Sequence, residues 1–235
     1  MTEFLKGTLI VAVYLIVMGV SMLLIRKFTG VGDELFRKIL HFVLLGAYIP
    51  LLFGFSVWWH CLIFVVCLGV LLYPVLLLAG KIPGFSSFVN ERKKGEFRGS
   101  MILAIGVMAF SIVIGWGVLQ DKYVVIASVY SWGVGDAFAA LIGKRFGKHK
   151  ITLRFVDNKK SIEGSLAMLI TSCIAVFAVL LIRGGINPLL ALAISLLASA
   201  ASTFVELCSK NGLDTIFCPA VSMVIILPMV TLLGG

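Results

Sequence analysis

The sequence predicts an all-α protein, a polytopic membrane helix bundle of about eight transmembrane helices. Composition points there first: of 235 residues, 60% are hydrophobic and only 13% charged, with a mean hydropathy of +1.11. A soluble domain carries roughly 25% charged residues, so this chain has too little polar surface to cover a globule in water. Run length agrees, because uncharged stretches of roughly 18 residues or more recur, each long enough to cross the hydrocarbon. Strand-like alternation is missing, which excludes a transmembrane barrel and leaves helices as the only way to satisfy backbone groups in lipid.

The elements follow in order. Residues 7–25 form the first span; its apolar stretch is too long for a signal peptide, and no small-residue cleavage site follows, so it reads as a retained helix. Spans over 35–56 and 57–79 come next, then 101–119 and 123–143, then 164–182, 188–205 and 216–234. Pro74, Pro219 and Pro228 fall inside spans and are expected to kink them. No Pro- or Ser-rich linker and no internal repeat is visible, so residues 1–235 are expected to form one domain. Cys61, Cys67, Cys173, Cys208 and Cys218 lie in or beside apolar runs without metal-ligand spacing, and read as buried free thiols.

Cations set the expected topology. If all eight spans cross, segments 26–38, 81–98, 144–160 and 206–215 share one side and hold 17 of the 20 lysines and arginines. Lys6, Lys122 and Arg183 fall on the other. The positive-inside rule makes the rich side cytoplasmic and puts both termini outside.

Four features exceed what orientation needs. Asp136 lies about seven residues inside the cytoplasmic end of its span, roughly 10 Å deep. A carboxylate there is costly unless paired, solvated or metal-bound. Ala140, Gly143 and Gly147 continue its face as a small-residue stripe, suited to a close helix contact or to a phosphate chain. Second, Asn158-Lys159-Lys160-Ser161-Ile162-Glu163-Gly164-Ser165 turns a basic loop into a helix. Ser161 can cap that helix with Glu163 in its first turn, and the same free amides and lysines make a phosphate-binding corner. The preceding Gly143-Lys144-Arg145-Phe146-Gly147-Lys148-His149 is no Walker A loop, being one residue short and lacking Ser or Thr. Third, Arg37-Lys38-x-x-His41 puts cations near a helix start, against the dipole, with Arg37 and His41 on one face. Fourth, Glu206 at a helix end is disfavoured by the dipole, which points to a partner. It precedes the turn Asn211-Gly212-Leu213-Asp214.

All four fall on the cytoplasmic side. A transporter or channel would carry ionisable groups near the midplane with access from both faces. Here the outer half of the bundle is almost purely apolar. The pattern favours a site open to cytoplasmic solutes and to lipid, with Asp136 and Glu163 meeting in one pocket.

Together these residues resemble the polyprenol kinase family, which includes dolichol kinase, phytol kinase and the fungal CTP-dependent diacylglycerol kinase. Arg37-Lys38-x-x-His41, Gly135-Asp136-x-x-Ala139 with Gly143 and Gly147, Lys160-Ser161-x-Glu163-Gly164-Ser165, and Asn211-Gly212-Leu213-Asp214 with Pro219 occur in the family's order over roughly residues 35–220. The Gly-Asp to Lys-Ser-x-Glu-Gly portion is the specific part. The family often has Asn after the last aspartate, where this chain has Thr215.

The resemblance implies transfer of the γ-phosphoryl group of a nucleotide, commonly CTP, to the hydroxyl of a membrane lipid, with Mg²⁺. ATP is not excluded as donor, and the lipid is an isoprenoid alcohol or diacylglycerol. Asp136 and Glu163 are the expected metal ligands, either one alternatively accepting the hydroxyl proton. Lys148, Lys159 and Lys160 would neutralise the triphosphate, with Arg37 and Lys38 closing from the second helix. His41 or Glu206 would contact nucleotide or alcohol. Asn158, Ser161, Gly164, Gly143, Gly147, Asn211 and Asp214 complete the nucleotide-binding set. Two alternatives stand beside this reading: a cytidylyltransferase acting on a phospholipid, and a transporter or channel.

Overall fold

The computed structural model describes residues 2–82, 85, 95–152, 160–209 and 212–233. Asn158, Lys159 and Asn211, expected at the nucleotide site, lie outside the described residues. The helices are α1 (Thr2–Phe28), α2 (Asp33–Gly46), α3 (Tyr48–Gly54), α4 (Trp58–Ala79) and α5 (Glu96–Ser111), which runs into a π-helical turn (Ile112–Val118). After these come α6 (Lys122–Phe146), α7 (Ile162–Arg183), α8 (Pro188–Cys208) and α9 (Asp214–Leu233). No strand occurs among the described residues, and eight spans are long and apolar enough to cross a bilayer. The protein is an integral, multi-pass membrane protein.

The expected spans match, with one internal break. The second consists of α2 and α3, interrupted at Ala47. Pro50 explains it: its ring nitrogen cannot donate to Gly46, one turn earlier, and the ring crowds that carbonyl. Pro74, Pro219 and Pro228 lie inside continuous helices. Of the five cysteines, all free, only Cys61 and Cys218 are buried, while Cys67 and Cys208 are exposed and Cys173 is intermediate. The expectation of buried thiols fails for those three because outward helix faces are apolar in a membrane bundle too.

Contacts cluster into two compact units, Met1–Gly117 and Val118–Gly235. In the first, α1 packs on α3 and α4 on α5. The Tyr14 hydroxyl donates to the Val43 carbonyl at 2.6 Å, and Arg26 pairs with Asp33 at 2.9 Å across the turn into α2.

In the second unit, α6 and α7 make the most extensive pairing, and α8 and α9 complete a four-helix bundle. The α6–α7 seam is built from small residues, as expected where lipid gives helices no hydrophobic reason to associate. A side chain on Gly135 would collide with Met168 and Ser172 of α7, and one on Gly164 would meet the Ala139 carbonyl at 3.0 Å and Gly143 Cα at 3.3 Å. Buried hydroxyls cross the same bundle. Ser172 donates to the Ser131 carbonyl, and the Ser131 and Ser222 hydroxyls lie 2.9 Å apart. Asp121 caps α6 through the amides of Tyr123 and Val124 at 2.9 and 3.2 Å, and Arg183 from the end of α7 reaches it at 2.7 Å.

Candidate active site

At the opposite end of α7 from Arg183, Lys160 enters the bundle just before the helix begins. Its ammonium lies 2.9 Å from a Glu206 carboxylate oxygen and also donates to the backbone carbonyl of Glu206, with that of Ser209 at 3.4 Å. Glu206 lies in the last turn of α8, so one lysine takes both a carboxylate and the backbone carbonyls at a helix end. Both side chains are mostly withdrawn from solvent, 19% exposed for Lys160 and 14% for Glu206. The partner expected for Glu206 is thus Lys160, from α7's approach.

Two further carboxylates act electrostatically on Glu206: Asp136 from α6 and Asp214 from the first turn of α9. Asp214 accepts a hydrogen bond from the Trp132 indole at 3.0 Å, and Trp132 lies one turn before Asp136 on α6. The Cys218 thiol, one turn into α9, feels Asp214, Glu206 and Lys160 together. Three helices, α6, α8 and α9, and the segment leading into α7 therefore contribute to one charged cluster centred on Glu206: Lys160 is paired with it, and Asp136 and Asp214 act on it electrostatically. Cluster membership for Trp132 and Cys218 was not expected; Trp132's place immediately before Gly133 and Asp136 was the available signal.

Glu163 occupies a different place. Its Oε1 accepts from the backbone amides of Lys148 and His149 at 3.1 and 3.2 Å and lies 2.8 Å from His149 Nδ1. Gly143 and Gly164 touch, which fixes the register of α6 against α7. Asp136 is seven residues deeper than Gly143, about 10 Å along the axis at 1.5 Å per residue. Glu163 sits beside Gly164 and turns toward the loop beyond α6. Glu163 is thus engaged by Lys148 and His149, whereas the charge of Asp136 acts on Glu206.

The remaining expected residues divide. Ser161 is buried and caps α7, accepting from the Gly164 amide at 3.2 Å. Gly143, Gly147 and Gly164 face the α6–α7 contact, where Ser161 fills the space beside Gly143 and Gly147. Lys148 is exposed beyond the end of α6, in a run with Lys144, Arg145 and Lys150. Arg37, Lys38 and His41 belong to α2 of the first unit. There Arg37 pairs with Glu34 at 3.0 Å and Lys38 is buried. His41 stacks edge-on with Phe42, ring centroids 6.4 Å apart.

Among the described residues, no group of three or more His, Cys, Asp or Glu side chains is arranged to hold a metal ion unaided. That arrangement still suits Mg²⁺, which keeps several waters and takes one or two carboxylates together with substrate phosphates. Asp136 and Asp214 are hard oxygen donors whose charges both act on Glu206, and Lys160, paired with Glu206, matches phosphate rather than another metal ligand.

No curated protein and no solved structure shows significant similarity to the chain. The cytidylyltransferase family matches it over residues 3–209, nearly the whole length. That family takes in CDP-diacylglycerol synthases and dolichol and polyprenol kinases, membrane enzymes that act on lipids with CTP. The chain belongs to the cytidylyltransferase family.

Proposed function

We propose that the protein is a lipid-alcohol kinase, transferring the γ-phosphoryl group of CTP to the hydroxyl of a long-chain isoprenoid alcohol or diacylglycerol at the cytoplasmic face. One observation carries this reading: a lysine paired at 2.9 Å with the Glu206 carboxylate of α8, both mostly withdrawn from solvent, where the charges of Asp136 on α6 and Asp214 on α9 act on the same carboxylate.

Asp136 and Asp214 would hold Mg²⁺, which supplies charge neutralisation across the phosphates when bound. Lys160 is placed to donate to a phosphate oxygen, exchanging its Glu206 partner for the nucleotide. Exposed Lys148 and its neighbours at the end of α6 raise the local concentration of a polyanion. The lipid oxygen forms a bond to the γ-phosphorus as the bond to the β,γ-bridging oxygen breaks, and CDP leaves. Such transition states are loose, so the hydroxyl proton departs late. A carboxylate oxygen of Glu206, freed from Lys160, accepts it. The hydrocarbon chain stays in lipid between helices and needs no polar pocket.

The family supports a second reading, cytidylyl transfer, in which an oxygen of a lipid phosphate attacks the α-phosphorus and pyrophosphate leaves. CTP labelled at either the α- or the γ-phosphate separates the two. Kinase activity puts the γ label into lipid, and α label in lipid instead would replace this proposal with the second reading.

A further inference from the structure

We infer that Glu163 and His149 form a clasp whose work is to position Lys160, so that Glu163 acts through the chain rather than on metal or phosphate. This rests on the assignment of Lys160 to the nucleotide site.

The geometry is that of a two-stranded neck. Chain leaving α6 runs antiparallel to chain entering α7: Lys150 bridges Ser161, the Ile162 amide donates to the His149 carbonyl at 3.0 Å, and the Ile151 amide donates to the Lys160 carbonyl at 3.1 Å. Backbone on either side of the Lys160–Ser161 peptide is thereby tied to residues 149–151. Glu163 closes the neck from the α7 side, gathering both amides of Lys148 and His149 and the His149 ring onto one carboxylate. A glutamate in the first turn of a helix is favoured by the dipole alone, but the dipole explains none of these three donors. Charge-assisted bonds of this kind are the stronger ones, and here they join two segments fifteen residues apart in sequence. Lys160 reaches Glu206 from the fixed side of that neck. Without the clasp, the neck keeps only its backbone bonds, and the lysine loses its fixed approach to α8.

The test uses the full-length protein in lipid nanodiscs and reads Lys160 directly, by its rate of acylation with an N-hydroxysuccinimide ester, followed by peptide mass spectrometry. Glu163→Ala should speed acylation of Lys160 by about tenfold, as expected for loss of one to two charge-assisted hydrogen bonds. His149→Ala should give a smaller increase. Glu163→Gln retains an oxygen that accepts the same amides and should stay within about threefold of the parent protein. In turnover, Glu163→Ala should raise KM for CTP while kcat holds within about threefold, and Glu163→Gln should leave the Mg²⁺ midpoint unchanged. Unchanged Lys160 acylation in Glu163→Ala overturns the clasp; if that variant does not fold, unchanged acylation in His149→Ala, whose side chain is 75% exposed, does so. A shifted Mg²⁺ midpoint in Glu163→Gln likewise overturns it and makes Glu163 a metal ligand. Failure of the γ label to reach lipid would end the kinase proposal while leaving the acylation result to stand by itself.

Discussion

Helix α7 carries an ion pair at each end, and the two pairs are built differently. At one end, Arg183 meets Asp121 at 2.7 Å, and the same aspartate caps α6, so one carboxylate satisfies a guanidinium and two orphan amides. Its charge is matched locally, and the pair joins two helix ends. At the other end, Lys160 meets Glu206 at 2.9 Å with Asp136 and Asp214 acting on the same carboxylate. Grouped carboxylates in low dielectric repel one another, and a fold retains such a cluster only where something repays that cost. The contrast separates a charge pair that fastens helices from a charge cluster with the surplus negative charge that the proposed function would use, although both look alike as isolated contacts.

The largest effect should come from Asp136→Asn, which preserves shape and removes a charge from the cluster. Lipid phosphorylation should fall by at least about a hundredfold, as for loss of a group stabilising transferred charge. Near-normal turnover in the folded variant would remove Asp136 from the mechanism. Next, Lys160→Met and Arg183→Met should part company. Lys160→Met should cut kcat/KM for CTP by about a hundredfold, whereas Arg183→Met should keep it within about threefold and lower thermal stability instead, by leaving Asp121 without its guanidinium. Equal kinetic damage from both would erase the distinction between the two ends.

Smaller effects sharpen the picture. Gly135→Ala should destabilise the bundle, since the added carbon meets Met168 at 2.7 Å and Ser172 closer still. The cost should be about 1–3 kcal/mol, typical of an overpacked contact, read from thermal unfolding in detergent. Ser161→Ala should cost about 1 kcal/mol as the loss of a helix cap, with Lys160 still able to reach Glu206. Finally, KM for CTP should rise severalfold between about 0.05 and 0.5 M salt, because the exposed cations after α6 act through screened charge. A flat salt response would confine nucleotide recognition to the withdrawn cluster.

Legibility varied along the chain for physical reasons. Spans could be read because crossing a bilayer needs a fixed length of apolar residues whatever their neighbours. The break at Ala47 was readable in principle from Pro50, whose missing donor acts locally. Asp136 stood out because ionised groups are rare inside spans, Glu206 because the dipole disfavours it at a helix end, and Lys160 and Asp214 because they flank helix starts. Their grouping was partly anticipated, but the pairing was not: Glu163, expected beside Asp136, turns to His149, a residue that the basic loop gave no reason to single out. Small residues were ambiguous in another way: Gly143 and Gly147 suit a phosphate cradle and a close helix contact equally, and in the structure both lie against Ser161.

The sequence by itself determined that this chain lives in a membrane, how many times its helices can cross, and that its unusual charges fall among four stretches. Those are properties of composition and period, set by the cost of moving polar groups into hydrocarbon. Only the tertiary structure decided which carboxylate faces which cation. Two residues 46 positions apart, Lys160 and Glu206, meet because α7 and α8 pack in one register, and register depends on every contact along the seam. A carboxylate three residues past Lys160 points elsewhere because its helix turns it toward the loop.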